Sequence, residues 1–377
     1  MTDFKNTPEL SESTKPAISY STCYEPSLHL FPYRWTLKDA KFTKDKGKVF
    51  SCFACGGGST MGYKLAGFDV LGCNEIDPKM IEAYKVNHNP KYAYLEPIQT
   101  FKMREDLPKE LYELDILDGS PPCSSFSTGG NREKDWGKEK KFREGQAMQV
   151  LDTLFFDFID LAKKLQPKVV VAENVKGLLL GNAKSYVIEI YKQFDLAGYY
   201  VQHFLLDSSK MGVPQQRERV FFIALRKDLS NNFLYQKDMF EMTPKINLQF
   251  KENKIVFGKI QEKNPERKPL IDSYLKYWNK TTDFGKYDER SRGGKTFGFY
   301  RKAMKHRVLN TIMSGNVFSI EETPHELTDT EFSLCGSFPL DYNYIKNKPQ
   351  YIIGMSVPPV MTAQISSQIY KQWLSKL

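Results

Sequence analysis

Cysteine is scarce in this chain: six residues among 377, scattered, with no signal peptide ahead of them. That usage excludes a disulfide framework and fits a reducing compartment, so a cytoplasmic protein is expected. Cys52-Phe-Ala-Cys55 has the spacing of half a zinc motif, but no second cysteine pair lies at metal spacing, and no metal is expected. Cys23, Cys73 and Cys335 stand alone and read as buried or incidental. No segment has the apolar length of a membrane span, which removes a membrane from the expected partners. Internal repeats are absent. Residues 1–19 lack the apolar stretch of a leader, are rich in Ser, Thr, Lys and Glu, and read as a flexible tail.

What is present is a set of strand-like runs, each ending in chemically useful residues. Lys48-Val-Phe-Ser-Cys52 runs into a glycine-rich turn and then a helix to about Ala66, the arrangement that lets a backbone approach a nucleotide-like cofactor. A second strand, Asp69 to Asn74, ends at Glu75, where an acid can take ribose hydroxyls. The apolar run Leu114-Asp-Ile-Leu117 leads to Gly119-Ser-Pro-Pro-Cys-Ser-Ser-Phe-Ser127, in which two prolines stiffen the approach to a single thiol, Cys123. Lys168-Val-Val-Val-Ala172 reads as a strand buried on both faces and ends in Glu173-Asn174-Val175, at the edge of a parallel sheet where ligands bind. Gln215-Gln-Arg-Glu-Arg219 precedes the apolar run Val220 to Ala224 and sets Arg217 and Arg219 two apart on one face as a strand begins. The plainer reading of those arginines is a surface ion-pair ladder. Helices are expected at Pro78 to Val86 and Ala147 to Leu165, and Tyr33, Trp35 and Leu37 alternate as in an ordered strap.

These motifs, with a late Gly354-Met-Ser-Val-Pro-Pro359, stand in the order and approximate spacing of the DNA cytosine-5 methyltransferases, which the chain resembles over about residues 48–226 and 322–377. The resemblance implies an α/β fold of the class I S-adenosylmethionine-dependent type, Rossmann-like, a mostly parallel sheet with helices on both faces, plus a smaller target-recognition domain. It also implies S-adenosyl-L-methionine as cofactor, S-adenosyl-L-homocysteine as its product and duplex DNA as substrate. Cys123 matches the nucleophile that adds to cytosine carbon 6, Glu173 the acid at the N3 and N4 edge, and Arg219, with Arg217 beside it, the group holding O2 and the local geometry. In the cofactor site Phe53 matches the residue stacked on adenine, with Ala54 next to it. Gly57 and Gly58 match the glycine pair, Glu75 the ribose ligand and Ile76 its apolar neighbour. Ile98, Ser120, Pro122, Ser356 and Val357 complete the implied pocket.

Four positions depart from the family pattern. Ser51 replaces the usual aspartate, Cys55 the first glycine, Pro97 the acid of a Gly-Asp-Ile, and Met355 the customary asparagine. Exocyclic amino methyltransferases carry an aromatic residue after Ser-Pro-Pro where this chain has Cys123, which argues against amino methylation.

Net charge is +9, and residues 227–306 hold 18 basic against 10 acidic residues, so nearly all the excess lies there. In Glu289 to Lys302 cations alternate with Gly and aromatics, a composition suited to phosphate contact. Ser124, Arg290, Arg292, Lys295 and Arg301 are the expected DNA contacts, and the loop from Ser124 to Arg143 is expected to close over DNA. The expected organisation is an N-terminal extension at 1–46, a catalytic domain at 47–226, a target-recognition domain at 227–321 and a returning segment at 322–377. A monomer on DNA is expected, with a restriction endonuclease as functional partner. Two alternatives stay open: a tRNA methyltransferase on the same fold, and a catalytically silent DNA-binding module.

Overall fold

The computed structural model describes residues 29–122, 139–140, 149–150, 153–180, 183–236, 242–278 and 300–377. Cys123, Ser124, most of the loop to Arg143, Arg290, Arg292, Lys295, Cys23 and the tail at 1–19 lie outside the described residues. The first part of the chain runs β1 (Lys48–Cys52), α1 (Gly58–Leu65), β2 (Asp69–Glu75), α2 (Pro78–His88), β3 (Tyr92–Leu95), α3 (Ile98–Phe101), β4 (Ile116–Gly119), α4 (Leu154–Leu165), β5 (Val169–Val175), α5 (Lys184–Leu196), β6 (Tyr199–Asp207), β7 (Gln215–Gln216) and β8 (Glu218–Arg226). Downstream lie β9 (Tyr300–Ala303), β10 (Leu309–Asn310), β11 (Val317–Ile320), α6 (Asp329–Cys335), α7 (Pro349–Met355) and α8 (Pro359–Gln372).

Seven strands form one sheet in the order β3-β2-β1-β4-β5-β8-β6. Neighbours from β3 to β5 pair in parallel, while β8 runs antiparallel to both β5 and β6. Continuous apolar runs such as Val169 to Ala172 suit strands covered on both faces. Alternation then sorts them: Val169 and Val171 join one core with α1 and α8, whereas Val170 and Ala172 join the other with α4 and α5.

Local chemistry sets the element ends. Asp77 caps α2 by accepting from the Lys79 and Met80 amides, Pro78 opens its first turn, and Asn89 in the left-handed region ends it two residues beyond the expected Val86. The strand expected at Leu114 to Leu117 is displaced to Ile116–Gly119, and just before it the Asp115 carboxylate accepts from the Lys48 amide at 2.7 Å. The helix expected from Ala147 begins at Leu154, and Gln149–Val150 is extended and paired with Glu139–Lys140. In the strap it is Phe31 and Trp35 that are buried, and the Trp35 indole donates to the Ser337 carbonyl at 3.0 Å.

The C-terminal segment lies against the sheet domain through α8. At Gly62 of α1 a Cβ would come within 2.4 Å of the Pro359 carbonyl, so glycine there permits the close helix contact. Among the described residues no helix is long and apolar enough to cross a membrane.

Candidate active site

The chemistry gathers on one face of the sheet, at the C-terminal ends of the parallel strands. Ser51 of β1 is in register with Asp118 of β4, and Asp118 with Val171 of β5. Glu173 lies two residues past Val171, and Phe221, its partner on β8, lies two residues from Arg219. Period-two alternation therefore sets Ser51, Asp118, Glu173 and Arg219 in a row on the same face.

Glu173 and Arg219 form an ion pair at 3.0 Å, with side chains only 12% and 15% exposed. Burial lowers the Arg219 guanidinium from its usual range, and the Glu173 carboxylate opposes this. Next to Glu173, the Asn174 side-chain amide donates to the Pro121 carbonyl at 3.1 Å and its oxygen accepts from the Val175 amide at 2.8 Å. The Pro-Pro segment is thereby tied to the strand that carries the acid. Pro122, half-buried, is the last described residue before Cys123.

Arg217 does a different job from Arg219 and is no surface residue. It is 3% exposed and donates to the carbonyls of Ile312 at 3.1 Å and Gly354 at 3.2 and 3.3 Å. Gln215 works alongside it, donating to the Cys335 carbonyl at 3.3 Å and accepting from the Ile312 amide at 2.9 Å, while β7 pairs with β10. Of the two arginines expected to hold O2 and the local geometry, Arg217 has its Nη1 and Nη2 on backbone carbonyls and ties the entry to β8 to the 312 and 354 segments.

At the other end of the row lies the glycine turn. Cys55 occupies the left-handed region at φ 47°, the conformation that explains glycine at this place in the family pattern. A Cβ on Gly57 would meet His88 Nε2 at 2.1 Å, and one on Gly58 the Val357 carbonyl at 2.3 Å. These glycines let α2 and the 356–357 segment close on the turn. Glu75, 5% exposed, accepts from the Cys55 amide at 2.7 Å and from the Ile76 and Asp77 amides at 2.9 Å. Phe53, Ala54, Ile76 and Ser120 are half-buried around the turn, and Ile98 and Val357 are buried. Ser356 is buried as well, and its hydroxyl has no protein partner. Glu96 is engaged by Arg104 and Thr100, each at 3.0 Å, and Pro97 immediately precedes α3. A turn closed by glycines, an unpartnered hydroxyl and half-buried apolar side chains fit an adenosyl cofactor.

Sequence reading missed Asp118. It is 5% exposed, and its carboxyl accepts from Ser51 Oγ at 2.8 Å and Tyr63 OH at 3.2 Å. Burial, reinforced by Glu173, pushes this acid up to about 7 against the pull of the Ser51, Tyr63 and Ser59 hydroxyls. The signal was available as an aspartate within an apolar strand. Arg301, expected to contact DNA, is half-buried and donates to the Tyr300 carbonyl at 2.8 Å. Among the described residues no group of His, Cys, Asp and Glu could hold a metal.

The sheet order, its one reversed strand and the ligand edge beside a glycine turn define a class I S-adenosylmethionine-dependent methyltransferase fold. The model of the C-5 cytosine-specific DNA methylases matches residues 47–371, and the chain belongs to that family. It is similar to the type II methyltransferase M.FnuDI of Fusobacterium nucleatum, 37% identical over 49% of each chain, so the match spans about half that relative's length. It is also similar to M1.HphI of Haemophilus parahaemolyticus, 27% identical over 85% of each chain. Among solved structures, Spodoptera frugiperda DNMT2 shares the fold with a TM-score of 0.56 and 17% identity, covering 86% of this chain and 99% of that one.

Proposed function

We propose that the protein transfers a methyl group from S-adenosylmethionine to carbon 5 of cytosine in duplex DNA, at a base rotated out of the helix. The observation that carries this reading is the Glu173–Arg219 pair at 3.0 Å, beside a Pro-Pro segment pinned by Asn174. Cytosine carbon 5 is a weak nucleophile. Addition of the Cys123 thiolate to carbon 6 makes it an enamine, while Glu173 hydrogen-bonds the N3 and N4 edge and supplies the N3 proton. Arg219 holds O2 and keeps Glu173 oriented, so negative charge developing on the ring meets preorganised donors. The cofactor supplies an electrophilic methyl group. Loss of the carbon-5 proton to water, return of the N3 proton to Glu173 and expulsion of the thiolate regenerate both Glu173 and Cys123. A paired base is out of reach of such a site, hence the rotation.

The turn at Phe53 to Gly58, Glu75, Ile76, Ile98, Ser120, Pro122, Ser356 and Val357 would hold the cofactor. Residues 47–226 with 322–377 form the catalytic part and 227–321 the part that reads DNA. In that part Lys254, Lys302, His306 and Arg307 line a cleft of about 310 Å³ next to Gln216, a basic surface suited to phosphates. The test is transfer of tritium from labelled S-adenosylmethionine to mixed duplex DNA, followed by hydrolysis of the product. Label in 5-methylcytosine is expected; label in RNA but not DNA, or no label at all, would overturn the reading.

A further inference from the structure

We propose that Asp118 is the anionic anchor of the cofactor site, supplying from β4 the carboxylate that Ser51 does not supply from β1. The inference rests on the proposed function and concerns this chain's own departure from the family pattern. Ser51 and Asp118 are register partners on adjacent parallel strands, and their side chains bond to each other at 2.8 Å. A carboxylate moved from one to the other stays in the same layer, on the same face, at the same distance from the strand ends. One strand end continues into Phe53 and the glycine turn, the other into Ser120 and Pro122.

The surroundings of Asp118 match such a role. The described groups that act on it are hydroxyls, a thiol and an acid: Ser51 and Cys52 from β1, Ser59 and Tyr63 from α1, Tyr84 from α2, and Glu173 from β5. Among the described residues no lysine or arginine is among the largest influences on it, whereas Glu173 in the same row has a cation, Arg219. An unpaired buried acid costs stability unless something else uses it. The bound cofactor carries an ammonium group at its methionine end, and the methyl donor carries a sulfonium besides. A cation entering beside the turn would ionise Asp118 and release its proton to solvent, with the Ser51, Ser59 and Tyr63 hydroxyls already aimed at the resulting carboxylate. Ser51 is then a positioning residue that fixes the acid's orientation.

The test uses S-adenosylhomocysteine, which keeps the ammonium and cannot react, titrated calorimetrically into the full chain between pH 5.5 and 8.5 in buffers of different ionisation enthalpy. For the parent we expect affinity to fall as pH drops below about 7, with proton release on binding at pH 6. Asp118→Asn should weaken binding about tenfold or more at pH 8, flatten the pH profile and abolish the proton release. The exchange Ser51→Asp with Asp118→Ser should recover most of the affinity and the proton release. Asp118→Asn binding as the parent does, with the same profile, would overturn the proposal. So would an exchange variant no better than Asp118→Asn while folding with an unchanged thermal transition. A parent that binds no S-adenosylhomocysteine at any pH would instead remove the proposed function on which the inference rests.

Discussion

Two acids sit on one face of this sheet, on neighbouring strands, and they are held in opposite ways. Glu173 is locked to Arg219 at 3.0 Å. Asp118 is hydrogen-bonded by the Ser51 and Tyr63 hydroxyls, and burial pushes it up to about 7. The same functional group is thus given two surroundings: one carboxyl is oriented by a guanidinium, and the other is poised between charge states beside the glycine turn. Four experiments break or sharpen that contrast.

The largest effect is expected from the paired acid. Glu173→Gln keeps the size but loses the proton donor and the ion pair, and should lower methyl transfer about 10²–10⁴-fold, measured as the single-turnover rate of methyl transfer to duplex DNA. A loss below threefold would separate Glu173 from the chemistry.

Next comes the unpaired acid, read through stability. A carboxyl whose folded pKa is raised favours its protonated form in the fold. Its cost is therefore absent below the ordinary value near 3.8, grows as pH rises, and is complete above about 7. Asp118→Asn should stabilise the cofactor-free protein at pH 8 by up to about 3–4 kcal/mol and make little difference at pH 4, measured by denaturant unfolding. Destabilisation at pH 8 would show that the carboxylate is used by the free fold.

The two arginines extend the comparison. Removing Arg217 leaves the buried carbonyls of Ile312 and Gly354 without donors, so Arg217→Ala should cost about 2–3 kcal/mol of stability, seen in the thermal transition. Arg219→Ala should cost less stability and more activity. Equal effects on both quantities would erase the distinction between clamp and site residue.

The smallest effect concerns Ser356, whose buried hydroxyl has no protein partner. Ser356→Ala should leave stability within about 1 kcal/mol and weaken S-adenosylhomocysteine a few-fold. Unchanged affinity would place that hydroxyl outside the cofactor contacts.

Much of the sheet edge was legible in the sequence because the relevant forces are local. The valine run before Glu173 could only be a strand buried on both faces, and Gly57 and Gly58 marked a turn where no Cβ fits. Asp118 was missed because the strand was placed two residues early, which moved the acid from a buried register position into the approach to the prolines. Arg217 looked like the twin of Arg219 because a two-residue spacing shows nothing of Ile312 and Gly354, which reach it from 95 and 137 residues away. Trp35 gave the same lesson: its partner, Ser337, is 302 residues distant. Local periodicity determines which elements form, and long-range hydrogen bonds determine what their polar residues do.

The central claim is that a thiol at Cys123 attacks the base. DNA carrying 5-fluorocytosine blocks departure of the carbon-5 substituent, so a covalent protein–DNA complex should accumulate with S-adenosylmethionine in the parent and not in Cys123→Ser. Methyl transfer to ordinary DNA with no trapped complex, or an equal complex in Cys123→Ser, would contradict the account.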